Sequence, residues 1–84
     1  MTWTAVWSDI AKKQLKKLPK DVQTRILDKV DEVELDPFTY ISRLTGTKFF
    51  KLRVGDYRLI IDIINDKLLL HILKTKKRSN VYKD

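Results

Sequence analysis

The stretch Lys51-Leu52-Arg53-Val54-Gly55-Asp56-Tyr57-Arg58-Leu59-Ile60-Ile61 decides how the chain is read. Strand-forming residues lie on both sides of Gly55-Asp56, a dipeptide that signals a two-residue hairpin. Glycine at the first central position suits a type II′ turn, whose twist matches that of the flanking strands. Val54 then pairs with Tyr57, and Arg53 lies opposite Arg58. Because side chains alternate along a strand, Lys51, Arg53, Arg58 and Ile60 share one face, and Leu52, Val54, Tyr57 and Leu59 share the other. The second set is a core face. The first sets two arginines directly opposite each other, which destabilises a strand pair. Two readings are open at this point: the arginines are simply solvated, or the open face exists to receive an anion.

Downstream, Asn65-Asp66 reads as a second turn and Lys67 to Lys74 as a further strand. Extending the pairing through that turn places His71 opposite Ile60 and Leu73 opposite Arg58. The chain then runs through Lys74-Thr75-Lys76-Lys77-Arg78 to Tyr82. Upstream, Thr2 to Trp7 alternates as a first strand. Ser8 is placed to cap the helix that follows, with Asp9 in its first turn. Ile10, Ala11, Gln14, Leu15 and Leu18 recur at helical spacing. Lys12, Lys13, Lys16 and Lys17 fall mostly on the opposite side, which reads as a solvated face before it reads as a nucleic-acid helix. Pro19 interrupts and restarts the helical pattern. Val22, Ile26, Leu27, Val30, Val33 and Leu35 then carry an apolar stripe to Asp36-Pro37, where the helix must end. Phe38 to Gly46 is a connector without a strong signature. The order β-α-α-β-β-β gives one small α+β domain over residues 1–84, an antiparallel sheet with a helical hairpin on one face.

Composition narrows the partners. The 84 residues carry a net charge of +7. Residues 1–42 hold as many acidic as basic side chains, so the whole excess lies in residues 43–84. Charge concentrated in one half reads as a site for a polyanion, nucleic acid first. A chain this short buries only roughly 60–65% of its unfolded surface, so modest stability and sensitivity to a partner are expected. The absence of cysteine excludes disulfides and thiolate sites and fits a reducing cytoplasm. No apolar run approaches the length of a membrane helix.

Several enzyme classes drop out. The chain has no Gly-rich phosphate loop, no metal-ligand cluster and only one histidine, so neither cofactor nor metal is expected. His71, among leucines, reads as structural. What remains is a set of cations and Tyr82, and such a set is able to cleave RNA. The substrate's own 2′-hydroxyl is then the nucleophile. Arginines stabilise phosphate charge without titrating, and lysine or tyrosine must move the protons. The open face also carries Ile60, Leu69 and Leu73, with Phe49 nearby, more apolar surface than a monomer normally leaves wet. An acidic amphipathic segment fits such a face.

Lys51 to Ile60, followed by Lys76-Lys77-Arg78-Ser79-Asn80-Val81-Tyr82, resembles the RelE/ParE superfamily of toxin–antitoxin toxins. The helical portion from Ala11 through Leu18-Pro19 to Asp36-Pro37 is similar to the same family. The likeness covers nearly the whole chain and favours the RelE-like branch. It implies a ribosome-dependent, metal-independent endoribonuclease that cuts mRNA in the decoding site. It also implies a cytoplasmic toxin held by an acidic, RelB-like antitoxin in a complex such as a heterotetramer. The family's strand lysine falls on Lys51, its central arginine on Arg58 and its C-terminal tyrosine on Tyr82. Arg78 matches the family's C-terminal arginine, with Lys76 and Lys77 as alternatives. Arg53, Lys74, Lys76 and Lys77 are the expected RNA contacts, and Ile60, Leu69 and Leu73 the expected antitoxin contacts. A second family lysine, two positions before Lys51, is replaced here by Phe49. The alternative is a ParE-like inhibitor of DNA gyrase without nuclease activity.

Overall fold

The computed structural model describes residues 2–77. The chain forms β1 (Thr4–Trp7), α1 (Asp9–Lys16), α2 (Lys20–Leu35), a one-turn α3 (Pro37–Tyr40), β2 (Ile41–Arg43), β3 (Phe50–Val54), β4 (Tyr57–Ile64) and β5 (Leu69–Lys77). The five strands make one sheet in the order β1-β5-β4-β3-β2. The α+β class and the helical hairpin follow the sequence reading, but the sheet is mixed rather than purely antiparallel. β1 pairs parallel to β5, joining the two ends of the chain, with Thr4 beside Leu69 and Trp7 beside Ile72. The segment read as a connector contributes α3 and the edge strand β2.

The central hairpin has the expected register. Val54 pairs with Tyr57, Arg53 with Arg58 and Lys51 with Ile60. Gly55 has φ +57° while Asp56 keeps a negative φ, the signature of type II′ rather than type I′. The Arg25 guanidinium lies where a Cβ at position 55 would sit, but it ends a flexible side chain that can move aside, so the positive φ is what calls for glycine there.

α1 starts on the Ser8 cap, whose Oγ accepts from Ala11 N at 3.0 Å and donates to Leu73 O at 2.9 Å. One hydroxyl therefore begins the helix and ties it to β5. Beyond the end of β1, α1 takes over the β5 edge: Thr75 N donates to Gln14 Oε1 at 2.7 Å, and Thr75 Oγ1 to Ala11 O at 3.4 Å. At the other end, β1 is held by α2, through Trp3 N to Glu34 O at 2.8 Å and Ala5 N to the Glu34 carboxylate at 2.7 Å.

Ala11 and Leu15 of α1, and Ile26, Val30 and Val33 of α2, form one core with Leu52, Leu59, Ile61, Leu70 and Ile72 of the sheet. The helical stripes are narrower than expected. Ile10, Leu27 and Leu35 are exposed, because they flank the lines of contact instead of lying on them.

The β4–β5 pairing differs from the expected register. The connection is not a two-residue turn but a loop through Leu68, with a turn of 3-10 helix at Asn65–Lys67 and Leu68 left-handed at φ 52°. Ile64 therefore pairs with Leu69, and His71 faces Asp62, not Ile60. The register then slips by one residue at Ile60/Ile61, so that Lys74 faces Ile60 and Lys76 faces Arg58. Leu73 is the extra residue, not the partner of Arg58.

Candidate polyanion-binding site

That single bulge builds the site. Side chains alternate along a strand, so an inserted residue exchanges the two faces beyond it. Before the bulge, Leu70 and Ile72 point into the core. After it, Thr75 is the buried residue, and Lys74 and Lys76 turn to the open face. A regular strand would have driven Lys74 towards the helices.

Two rows of side chains then cross the open face. One runs Arg53, Arg58, Lys76; the other runs Lys51, Ile60, Lys74. Beside them lies a groove of about 390 Å³, lined by Arg58, Ile60, Leu73, Lys74 and Lys76 and by the loop residues Leu44, Thr45, Thr47 and Phe49. Among the described residues no acidic side chain lines it. Arg58 is half-buried, with its Nε and Nη1 withdrawn from solvent. A guanidinium in this setting addresses a phosphate through less water than a surface lysine does, which strengthens the contact.

The wall opposite the cations is the β2–β3 loop. Thr47 N donates to Leu44 O at 3.1 Å, and Gly46 sits at φ +80°, as the third position of a type II turn requires. Thr47 Oγ1 donates to Leu44 O at 2.8 Å and accepts from Phe49 N at 3.0 Å, while Leu44 N donates to Phe49 O at 3.0 Å. The sequence reading saw this loop only as a connector. The signal available was Thr45-Gly46-Thr47 ahead of a strand.

The expected site residues separate into groups. Arg58, Lys74, Lys76, Ile60 and Leu73 meet at the groove. Lys51 and Arg53 share its face but stand outside its lining. Lys77 pairs with Tyr57, whose ring packs on the core, so it belongs to the helix side of the sheet. Leu69 pairs with Ile64 at the far end of the hairpin, away from the groove. Ile60 is only 8% exposed, and Leu69 and Leu73 are half-buried, so these residues do not form the wet apolar patch that was expected. Among the described residues, the exposed large apolar ones are Val6, Ile10, Leu27, Leu35, Phe38 and Tyr40 instead. Arg78 and Tyr82 lie outside the described residues.

A small α+β fold with a helix-covered face and a cationic, grooved open face defines the class. Residues 5–82 match the family described as ParE toxin of type II toxin-antitoxin system, parDE. The chain belongs to this family, within the RelE/ParE superfamily. Among solved structures, it is 30% identical to a chain of the archaeal RelE-RelB complex from Pyrococcus horikoshii, covering 96% of this chain and 100% of that one with a TM-score of 0.82. It superposes on a chain of the Mycobacterium tuberculosis RelBE2 toxin-antitoxin complex with a TM-score of 0.84 at 22% identity, covering 93% and 100% of the two chains. Against the intact Escherichia coli RelBE complex the TM-score is 0.76 at 24% identity, covering 93% and 99%. No curated protein matches the chain. Among the described residues, no helix is long and apolar enough to cross a membrane.

Proposed function

We propose that this toxin is an endoribonuclease that cuts mRNA on the ribosome. The observation that carries the reading is the groove in which Arg58, Lys74 and Lys76 converge, with no acidic side chain in its lining among the described residues. The 2′-oxygen of one ribose bonds to the adjacent phosphorus while the bond from phosphorus to the 5′-oxygen breaks. The products are a 2′,3′-cyclic phosphate and a free 5′-hydroxyl. Arg58 stabilises the charge that builds on the phosphate oxygens. Lys51 and Tyr82, carried over from the resemblance, are the candidates for taking the proton from the 2′-hydroxyl and returning one to the leaving oxygen. Few groups at the groove are able to hold a proton in transit, so the ribosome supplies much of the substrate geometry.

The partner is an acidic, amphipathic antitoxin, by analogy with the RelB-containing complexes above, in a cytoplasmic toxin–antitoxin assembly such as a heterotetramer. Acidic residues over Arg58 and Lys74 would silence the groove, and electrostatic steering would make association faster at low salt.

A second reading is supported by the family match itself, whose description names ParE: inhibition of DNA gyrase without nuclease activity. One pair of assays separates the two. Purified toxin is added to translating ribosomes and the mRNA ends are mapped; in parallel it is added to gyrase and supercoiling is followed. New mRNA ends with unaffected supercoiling support the nuclease. Intact mRNA with blocked supercoiling overturns it in favour of the gyrase inhibitor.

A further inference from the structure

The cations of the groove account for a phosphate, but most of its lining is not cationic. Leu44, Phe49, Ile60 and Leu73 add apolar surface to the same lining as Arg58, Lys74 and Lys76. A nucleotide has the same two-part chemistry, a flat base with apolar faces joined through a sugar to a phosphate. The volume of about 390 Å³ lies within the range of small-molecule sites, roughly 300–1,000 Å³.

Phe49 is the residue that distinguishes a base from a generic apolar group. Its ring is half-buried at the groove, and its backbone is anchored at both ends, N–H to Thr47 Oγ1 and C=O to Leu44 N. A ring presented by an anchored backbone loses little freedom when something stacks on it. Lys48 Nζ stands 5.5 Å from the ring centroid, adding a cation beside the aromatic. Aromatic rings interleaved with cations are the general solution for holding single-stranded nucleic acid.

We propose that Phe49 is a stacking platform for one base of a single RNA strand, positioned while Arg58, Lys74 and Lys76 hold the neighbouring phosphates. The inference rests on the RNA reading above and adds the residue that orients the strand. Phe49 does not touch the reacting atoms; it sets which nucleotide lies across the groove.

The test uses the full-length toxin and a five-nucleotide RNA, 2′-O-methylated throughout so that it cannot be cut. A second set of RNAs has one base removed at each position in turn. Binding is measured by fluorescence anisotropy at low salt. The wild type should lose roughly 5- to 100-fold in affinity when one particular base is missing, as expected for a stacked base. Phe49→Leu, which keeps apolar bulk without the ring, should bind all the RNAs within about twofold of one another, whereas Phe49→Trp should retain the preference. Arg58→Ala should weaken every RNA alike. If the wild type binds all the RNAs equally and in a salt-dependent manner, the platform is overturned and the RNA reading stands. If Phe49→Leu keeps the wild-type preference, another group does the stacking and the proposal is overturned. If no RNA binds even at low salt, the platform and the RNA groove fall together.

Discussion

The two faces of the sheet are made by the same strands and obey opposite rules. On the helix side, Leu52, Leu59, Ile61, Leu70 and Ile72 are each at most 1% exposed. That face is selected for burial, which at roughly 25 cal/mol per Å² of apolar area is the main source of stability for a small domain. On the open side, Arg53 faces Arg58 and Arg58 faces Lys76, two like-charged pairs in one row. Each such pair opposes folding by a few tenths of a kcal/mol to about 1 kcal/mol. A face that adds repulsion to a marginally stable fold is organised around something other than stability. Changes on the two sides should therefore separate cleanly, one in stability and the other in activity.

The largest effect should come from Leu59→Ala, on the helix side. Leu59 is 0% exposed, and truncation should cost about 2–5 kcal/mol in urea unfolding. A loss below about 1 kcal/mol would mean that the helix side is far looser than its packing indicates.

Arg58→Ala tests the opposite face. If the proposed nuclease function holds, mRNA cleavage by this variant should fall by roughly 30- to 1000-fold, the loss of about 2–4 kcal/mol of transition-state stabilisation. Its unfolding free energy in urea should change by no more than about 1 kcal/mol, because the change also relieves repulsion. Wild-type cleavage in this variant removes Arg58 from the site. A collapse in stability instead would make Arg58 structural.

The smallest effect belongs to the link between helix and bulge. Ser8→Ala removes both the cap on Ala11 N and the bond to Leu73 O, for an expected cost of about 1–2 kcal/mol. Ser8→Gly should cost measurably less if the capping bond dominates, since glycine is tolerated at that position. Equal losses would assign the effect to the Leu73 contact.

Local chemistry was legible wherever it acts within a few residues. Gly55-Asp56 specified its own turn, and with it every pairing from Lys51 to Ile60. Ser8 capped as read, and the Asp36-Pro37 break ended α2. Arg58 was placed on the open face because alternation alone requires it. The apolar flanks Ile10, Leu27 and Leu35 were over-read as buried. Helical spacing marks a stripe, and only the neighbouring surface decides how wide a stripe is covered.

The sequence by itself determined the central hairpin, the helical hairpin and the sign of the charge in the second half of the chain. Each of these follows from turn residues, caps and periodicities that act locally. The tertiary structure decided the pairing of β1 with β5, the loop through Leu68 and the slip at Leu73. These join residues far apart in the chain, or hinge on one extra residue that no composition signal marks. A one-residue slip reverses every side chain beyond it, so Lys74 and Lys76 reach the groove only because Ser8, Gln14 and the packed core hold β5 in the bulged register.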